Sequence, residues 1–307
     1  MALVVPHWSP QAPLHALQLD WLVRGGIEVA VLRLDLIDPL ISGNKWFKLA
    51  PYLHQAATQG LRGLISLGGP HSNHLHALAA AGKRFGFASV GLLRGEPQDT
   101  PTIADLQAFG MQLHWLGYGG YRDRHRADFW LSWRERYPEL LPVAEGGGGL
   151  AGARGCAPLV QMVREQLASL GWADYHGWWL AAGTGTTMAG LVLAEEAGHT
   201  VHGAMAVPGN HGVAEQVRDL LAQAGHENGG YQLIDASRGG FGKVDAPLRG
   251  FIHDTEQACG LPMEPVYTAK ALLALRTRVE AGYFPRGTRL IFVHTGGLQG
   301  RRASLGL

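Results

Sequence analysis

Short continuous apolar runs alternate with segments whose apolar positions recur at helical spacing along most of the chain. The runs at 29–34, 62–68, 88–93, 111–116, 141–143, 178–182, 201–207 and 288–294 have the length and composition of buried strands. Segments 74–85, 102–109, 122–137, 158–170, 188–197, 212–224, 247–258 and 268–281 read as helices, and another follows Lys45. In the first of them Leu75, Leu78, Ala79 and Ala81 share a face. Alternation of this kind predicts an α/β fold, a mostly parallel sheet covered by helices. Residues up to 143 supply enough elements for one lobe, and those beyond 157 supply a second.

Between them lies Glu145-Gly146-Gly147-Gly148-Gly149-Leu150-Ala151-Gly152-Ala153-Arg154-Gly155. So many glycines do not belong inside a stable helix or strand. Two readings remain, a linker between lobes or a backbone lining a site at close approach. Composition narrows the class: 307 residues, 46% hydrophobic and 17% charged, can bury a sizeable core. The 26 basic and 25 acidic residues are spread without runs, so there is no electrostatic footprint for nucleic acid or an anionic membrane. A small neutral or zwitterionic partner is expected. Cys156 and Cys259 lie outside any C-x-x-C motif, as suits a reducing cytosol. The N-terminal residues do not read as a signal peptide, and no segment reaches the ~18 continuous apolar residues of a membrane helix, so a cytoplasmic protein is expected.

Candidate chemistry collects where strands end. Lys45, in Ile41-Ser42-Gly43-Asn44-Lys45-Trp46-Phe47-Lys48-Leu49, sits where a strand hands over to a helix. The positive end of the helix dipole and the ammonium of Lys48 both favour loss of its proton, and a neutral amine can capture an aldehyde. The alternative is a surface lysine beside a turn. Gly183-Thr184-Gly185-Thr186-Thr187 follows a strand and opens a helix, the order an anion site requires. It is neither a Walker A loop nor a dinucleotide fingerprint, and it could instead merely pack helix on strand. In His71-Ser72-Asn73-His74-Leu75-His76 the helical directions of His74 and His76 diverge and no acidic residue or cysteine is adjacent, so no metal is expected. Ser72, Asn73 and the open amides of a helix start suit a carboxylate. Tyr267 stands just outside a helix that Thr268 could cap, either as a packing residue or as a phenol facing a site. His294-Thr295-Gly296-Gly297 repeats the strand-to-glycine design, and four such turns on one edge make a site. There is no G-x-S-x-G elbow, and neither cysteine has a neighbouring histidine. A lysine, a phosphate cup and neutral hydroxyls together suit pyridoxal 5'-phosphate.

Ser42-Gly43-Asn44-Lys45, with Lys48-Leu49 after it, Ser72-Asn73-His74, Gly183-Thr184-Gly185-Thr186-Thr187, Pro265-Val266-Tyr267 and His294-Thr295-Gly296-Gly297 resemble, in order and over nearly the whole chain, the D-cysteine desulfhydrase and 1-aminocyclopropane-1-carboxylate deaminase family. The resemblance implies the tryptophan-synthase-β-like architecture, fold type II of the pyridoxal-phosphate enzymes. That is two open, twisted, mostly parallel sheets with flanking helices, the smaller domain (48–156) inserted in the larger (1–47 and 157–307). It also implies a homodimer. Carried over by position, Lys45 resembles the Schiff-base lysine and Lys48 a lysine near the phosphate. Ser72, Asn73 and His74 match the substrate-binding segment, and Asn73 also matches the contact to the cofactor's ring oxygen. Gly183, Thr184, Gly185, Thr186 and Thr187 match the phosphate cup, Tyr267 the catalytic tyrosine, and Thr295 the partner of the pyridine nitrogen.

A threonine at that nitrogen does not hold it protonated, so the ring is a weaker electron sink, which suits prompt loss of a β-leaving group. The resemblance therefore implies α,β-elimination from a small amino acid such as D-cysteine, giving pyruvate, ammonia and sulfide. Ring-opening deaminases of this family usually carry glutamate after the tyrosine and leucine at the Thr295 position, whereas Thr268 follows Tyr267 here. Phe241, in Arg238-Gly239-Gly240-Phe241-Gly242, falls where the family has a second tyrosine that meets substrate, and Phe47 replaces a common arginine. Deamination to 2-oxobutanoate is the alternative activity. A cofactor-binding protein without turnover is the alternative from another class.

Overall fold

Ten strands form two sheets, and the computed structural model describes residues 2–304. The strands are β1 (Leu14–Leu17), β2 (Glu28–Arg33), β3 (Gly63–Gly68), β4 (Ala88–Leu93), β5 (Gln112–Trp115), β6 (Leu140–Pro142), β7 (Gly177–Ala182), β8 (Thr200–Met205), β9 (Tyr231–Asp235) and β10 (Arg289–His294). The six-stranded sheet runs β1-β2-β10-β7-β8-β9 and the four-stranded sheet β5-β4-β3-β6; only the β1–β2 pairing is antiparallel. All strands of the smaller sheet fall between those of the larger in sequence, which is the expected insertion.

Parallel strands covered on both faces read as unbroken apolar runs, and β3 and β7 are buried at every position. Alternation then splits each central strand between two cores. Ala30 and Leu32, Trp178 and Leu180, Ile291 and Val293 face one cluster, while Val29 and Val31, Trp179 and Ala181, Leu290 and Phe292 face the other. The first cluster continues through Leu49, Leu53, Leu64 and Leu78 into the smaller sheet, so one apolar layer joins the sheets.

Several expectations need correction. The helix expected at 122–137 is broken: Gly117–Arg122 is helical, Asp123–His125 is a 3₁₀ turn, and the helix resumes only over Leu131–Arg136. Residues 122–128 carry no apolar stripe, and Asp128 instead accepts both guanidinium bonds of Arg126 at 3.0 Å, closing a turn. The edge strands β1 and β9 and the helix Asp20–Gly25 are not legible as apolar runs, because edges are only partly buried. The glycine-rich stretch is no free linker. It forms a 3₁₀ turn Glu145–Gly147 and a helix Leu150–Arg154 packed between the helices Lys45–Thr58 and Thr186–Glu195. The four ligand turns do not share one edge either. Those after β2, β7 and β10 belong to the larger sheet and the one after β3 to the smaller, and they meet at the seam.

Candidate active site

Beyond β2 the chain must stop, reverse and begin a helix, and its side chains provide for each step. Asp38 Oδ1 accepts the N–H groups of Leu40 and Ile41, both at 2.8 Å. Gly43 has φ +83°, and a Cβ there would lie 2.1 Å from the carbonyl oxygen of Thr295, so only glycine allows this contact. The next residue seals it, as Asn44 N–H donates to the same carbonyl at 3.3 Å. Lys45 is then the first residue of the helix Lys45–Thr58. One turn on, Pro51 has no N–H for the carbonyl of Phe47, and Gly155 of the glycine stretch packs against both.

Lys45 is half-buried and Lys48 almost wholly buried. Removal from water is the main reason each amine is held below the ordinary lysine range, Lys48 well below, with the charge of Lys45 adding to its depression. Burial is thus what lowers Lys45, whereas Lys48, expected from sequence to favour loss of its proton, opposes that loss through a side-chain hydrogen bond. His74 is buried beside the pair. Its Nε2 lies 2.8 Å from Ser66 Oγ, which itself donates to the carbonyl of Val143 at 2.8 Å. Burial first, then Lys45 and Lys48, hold its imidazole well below the usual range, and its Nδ1 has no partner among the described residues. The ring points into this buried corner, and a Cβ on Gly147 would meet both His74 Cε1 and Lys48 Cε at 3.4 Å. The second orphaned atom is Ser42 Oγ, on the approach to Lys45. Cys156 is fully buried here, its thiol pushed up to about 11 by burial.

The glycine cup opens the helix Thr186–Glu195, whose N-cap Gly185 (φ 73°) offers no side chain, leaving the first amides of the helix without an internal acceptor. Thr184 and Thr186 hydroxyls lie 3.1 Å apart, and Thr187 Oγ1 accepts from Asn44 Nδ2 at 2.7 Å. That bond joins the residue before Lys45 to the cup. Ser72 caps the helix Asn73–Phe85, accepting the N–H of Leu75 at 3.2 Å, a role that leaves its own hydrogen to donate. Asn73 Oδ1 accepts from Gln299 Nε2 at 2.7 Å, and its Nδ2 faces Gly297, so Asn73 lies against the turn that carries Thr295. His76 is drawn off to Asp105 at 3.1 Å, and no group of three or more potential metal ligands exists among the described residues.

Tyr267 precedes the helix Thr268–Glu280, and its ring edge is 3.0 Å from where Gly183 would carry a Cβ, so it borders the cup. Thr268 is the first residue of this helix and does not cap it; Glu264 instead orders the turn that leads into it. Its carboxylate accepts the N–H groups of Val266 at 2.8 Å and Tyr267 at 2.7 Å, while Thr268 Oγ1 is occupied with the backbone of Glu264. Burial pushes the Glu264 carboxyl up to about 7 and, with Glu264 and Glu145, raises the Tyr267 phenol above its ordinary value. Phe241 stands partly exposed at the rim, its ring 5.9 Å from that of Tyr267 at 62°. Its loop is tied down by buried Lys270, which donates to the carbonyls of Ser237 at 3.0 Å and Gly240 at 2.9 Å. The turns that carry the residues singled out from sequence thus meet at the seam, with Thr295 contributing its backbone carbonyl, Phe241 at the exposed rim and the ring of His74 turned toward Lys48.

Sequence reading missed Ser42, Ser66, Gln299, Lys270, Glu264 and Glu145 as site residues. Glu145 is held by Tyr121 Oη at 2.6 Å and Arg124 Nε at 2.9 Å, near enough for its charge to act on Lys45 and Tyr267. Its position opening the glycine stretch was the one available signal.

An amine that is easily discharged, a cup of open amides tied by one hydrogen bond to the residue before it, and two buried orphaned polar atoms nearby fit a phosphorylated aldehyde such as pyridoxal phosphate.

No family model matches the chain. A Pyrococcus furiosus protein named "Putative 1-aminocyclopropane-1-carboxylate deaminase" is 28% identical over 292 residues, 90% of this chain and 86% of that protein. The "Bifunctional D-cysteine desulfhydrase/1-aminocyclopropane-1-carboxylate deaminase, mitochondrial" of Arabidopsis thaliana is 26% identical over 94% of this chain and 76% of its own length. The crystal structure of an ACC deaminase homologue superposes with a TM-score of 0.82 at 24% identity, covering 98% of this chain and 93% of the other. These relatives bear out the resemblance carried by the five motifs, and the chain has the type II fold of the pyridoxal-phosphate enzymes.

Proposed function

We propose that this relative of the deaminases and desulfhydrases is a pyridoxal-phosphate-dependent lyase that eliminates a β-substituent from a small amino acid, as a D-cysteine desulfhydrase does, releasing pyruvate, ammonia and sulfide. One observation carries the reading: the 2.7 Å bond from Asn44 to Thr187, which ties the residue before Lys45 to the cup at 183–187. Bound pyridoxal phosphate supplies an electron sink for the bonds at the substrate's α-carbon.

The chain's own residues do the rest. The amides opening the helix Thr186–Glu195 would hold the phosphate, with Lys48 as a neighbouring N–H donor and Thr295 as the residue that would meet the ring nitrogen. Lys45, readily uncharged in its desolvated setting, holds the aldehyde end and later accepts the substrate's α-proton at Nζ. The Ser72 hydroxyl and the first amides of the helix Asn73–Phe85 hold the carboxylate. Tyr267 keeps its proton at neutral pH and so serves as an acid, delivering it to the departing sulfur. Phe241 gives the rim an apolar edge. No helix among the described residues is long and apolar enough to cross a membrane, and two free thiols support a reducing cytoplasmic setting. By the same resemblance the protein works as a homodimer.

Names of the relatives favour a second reading, cyclopropane-carboxylate deamination. Against it, Thr268 stands where ring-opening members have glutamate, with its hydroxyl bound to the backbone of Glu264. The deciding experiment reconstitutes wild type and Lys45→Ala with pyridoxal phosphate and assays sulfide and pyruvate from D- and L-cysteine, and 2-oxobutanoate from 1-aminocyclopropane-1-carboxylate. Sulfide from one cysteine enantiomer, lost about 10³-fold or more in Lys45→Ala, is expected. Wild type that binds the cofactor yet turns over none of these would leave the cofactor-binding protein without turnover. A yellow, lysine-linked protein that survives Lys45→Ala would remove Lys45 from its role.

A further inference from the structure

The turn after β10 is held by a residue that the proposed chemistry does not use. His294 is fully buried, and its Nε2 lies 2.7 Å from the carbonyl oxygen of Pro262, which has no proton to give, so Nε2 carries the hydrogen. A neutral ring in that tautomer presents Nδ1 as a bare lone pair, and Gly296 N–H donates to it at 3.2 Å. The same Nδ1 stands 3.3 Å from Asp35 Oδ1, a carboxylate oxygen that can only accept. One nitrogen cannot serve both partners. Bare, it holds Gly296; protonated, it pairs with Asp35. The charged groups facing the ring are Asp35 and Arg33, whose guanidinium clasps Asp35 at 2.9 and 2.6 Å. Cys259, on the helix Ala246–Cys259, lies within the field of that arginine.

What Gly296 holds is the floor of the cofactor site. A Cβ on Gly296 would lie 2.5 Å from Gly43 Cα and 2.8 Å from Ser42 Oγ, and Thr295 gives its carbonyl to Asn44, the residue before Lys45. We propose that His294 is a positioning residue, a proton-controlled clasp that pins the 295–297 turn against the approach to Lys45 while neutral and releases Gly296 when protonated. This rests on the pyridoxal-phosphate reading above. The step adds one proton from solvent at Nδ1, forms the Nδ1–H to Asp35 bond and breaks the Gly296 N–H to Nδ1 bond, with no other change. Burial holds the imidazole below its ordinary range, with Asp35 opposing, so the clasp is closed at neutral pH and opens on acidification. Because the unfolded chain takes this proton more readily, stability contributed by the neutral ring is also lost as pH falls below about 6.5.

The test compares wild type, His294→Asn and His294→Leu, each loaded with pyridoxal phosphate. Cofactor retention is read by visible absorbance after equilibrium dialysis between about pH 8 and pH 5, beside a melting curve. The asparagine oxygen can accept from Gly296 but takes no proton. Wild type is expected to lose cofactor as pH falls, His294→Asn to hold it at least about one pH unit lower, and His294→Leu to bind roughly tenfold more weakly at neutral pH, the worth of one buried hydrogen bond. Coincident pH curves for wild type and His294→Asn, or a folded His294→Leu that binds as tightly as wild type, would overturn the clasp. If His294→Leu does not fold, the asparagine curve decides. Wild type that takes up no cofactor at any pH sinks the parent reading and the clasp with it, whereas normal uptake with coincident curves sinks the clasp alone.

Discussion

At the scale of single residues, the site is a set of groups whose protonation is fixed by burial. Lys45 and Lys48 are pushed toward the neutral amine, His74 toward the neutral ring, and Tyr267 toward the protonated phenol. A base must be free of its proton and an acid must keep it, and desolvation is the largest cause of both, with neighbouring charges adding to it at Lys48, His74 and Tyr267. Tyr267→Phe tests the acid role through the leaving group. With D-cysteine, kcat should fall about 10²–10⁴-fold, while β-chloro-D-alanine, whose chloride departs without a proton, should lose far less. Equal losses on both substrates would reduce Tyr267 to a packing residue. Residue types and order made Lys45, Ser72, Asn73 and Tyr267 legible in the sequence. Glu264 and Lys270 were not, because their standing depends on burial that no local pattern records.

At the scale of elements, function lies in the joints. Three of the four ligand turns follow a parallel strand and open a helix, where unpaired amides collect. The fourth follows β10 into a 3₁₀ turn, and the glycine stretch is a further joint, leading from the smaller sheet to the larger while passing close to Lys48. Gly147 has φ +73°, and a Cβ there would stand 3.0 Å from Lys48 Cβ. Gly147→Ala should therefore cost about 1–3 kcal/mol in denaturant unfolding and weaken cofactor retention together. An unchanged unfolding midpoint would show that the stretch is as yielding as a linker. Sequence left linker and close approach open here, since both want glycine. The broken helix at 122–137 failed for a related reason: a charged segment without an apolar stripe folds by whatever local bonds its side chains find, here Arg126 with Asp128.

At the scale of the molecule, two sheets share one apolar layer and the candidate site lies where their turns meet, so a cofactor held there would bridge pieces distant in sequence. A ligand that binds only the assembled seam stabilises the whole fold by mass action. Cofactor present at about 100 times its dissociation constant should add about 2.7 kcal/mol, and stripping it should lower Tm by roughly 5–10 °C. Lys45→Ala should show a smaller shift at the same concentration. Identical melting curves with and without cofactor would mean that the seam is not where it binds.

By itself the sequence determined the alternation of strands and helices, and with it the open amides at strand ends, because periodicity and glycine placement are local properties written into neighbouring residues. It also singled out Lys45, Ser72, Asn73 and Tyr267 as the side chains proposed to carry the chemistry. Only the tertiary structure decided that these turns come from two sheets, that Asn44 reaches Thr187, that His74 turns its ring to Lys48, and that His294 stands between Gly296 and Asp35. Those are contacts across long stretches of chain, and protonation follows from desolvation, which exists only once the chain has closed around the group.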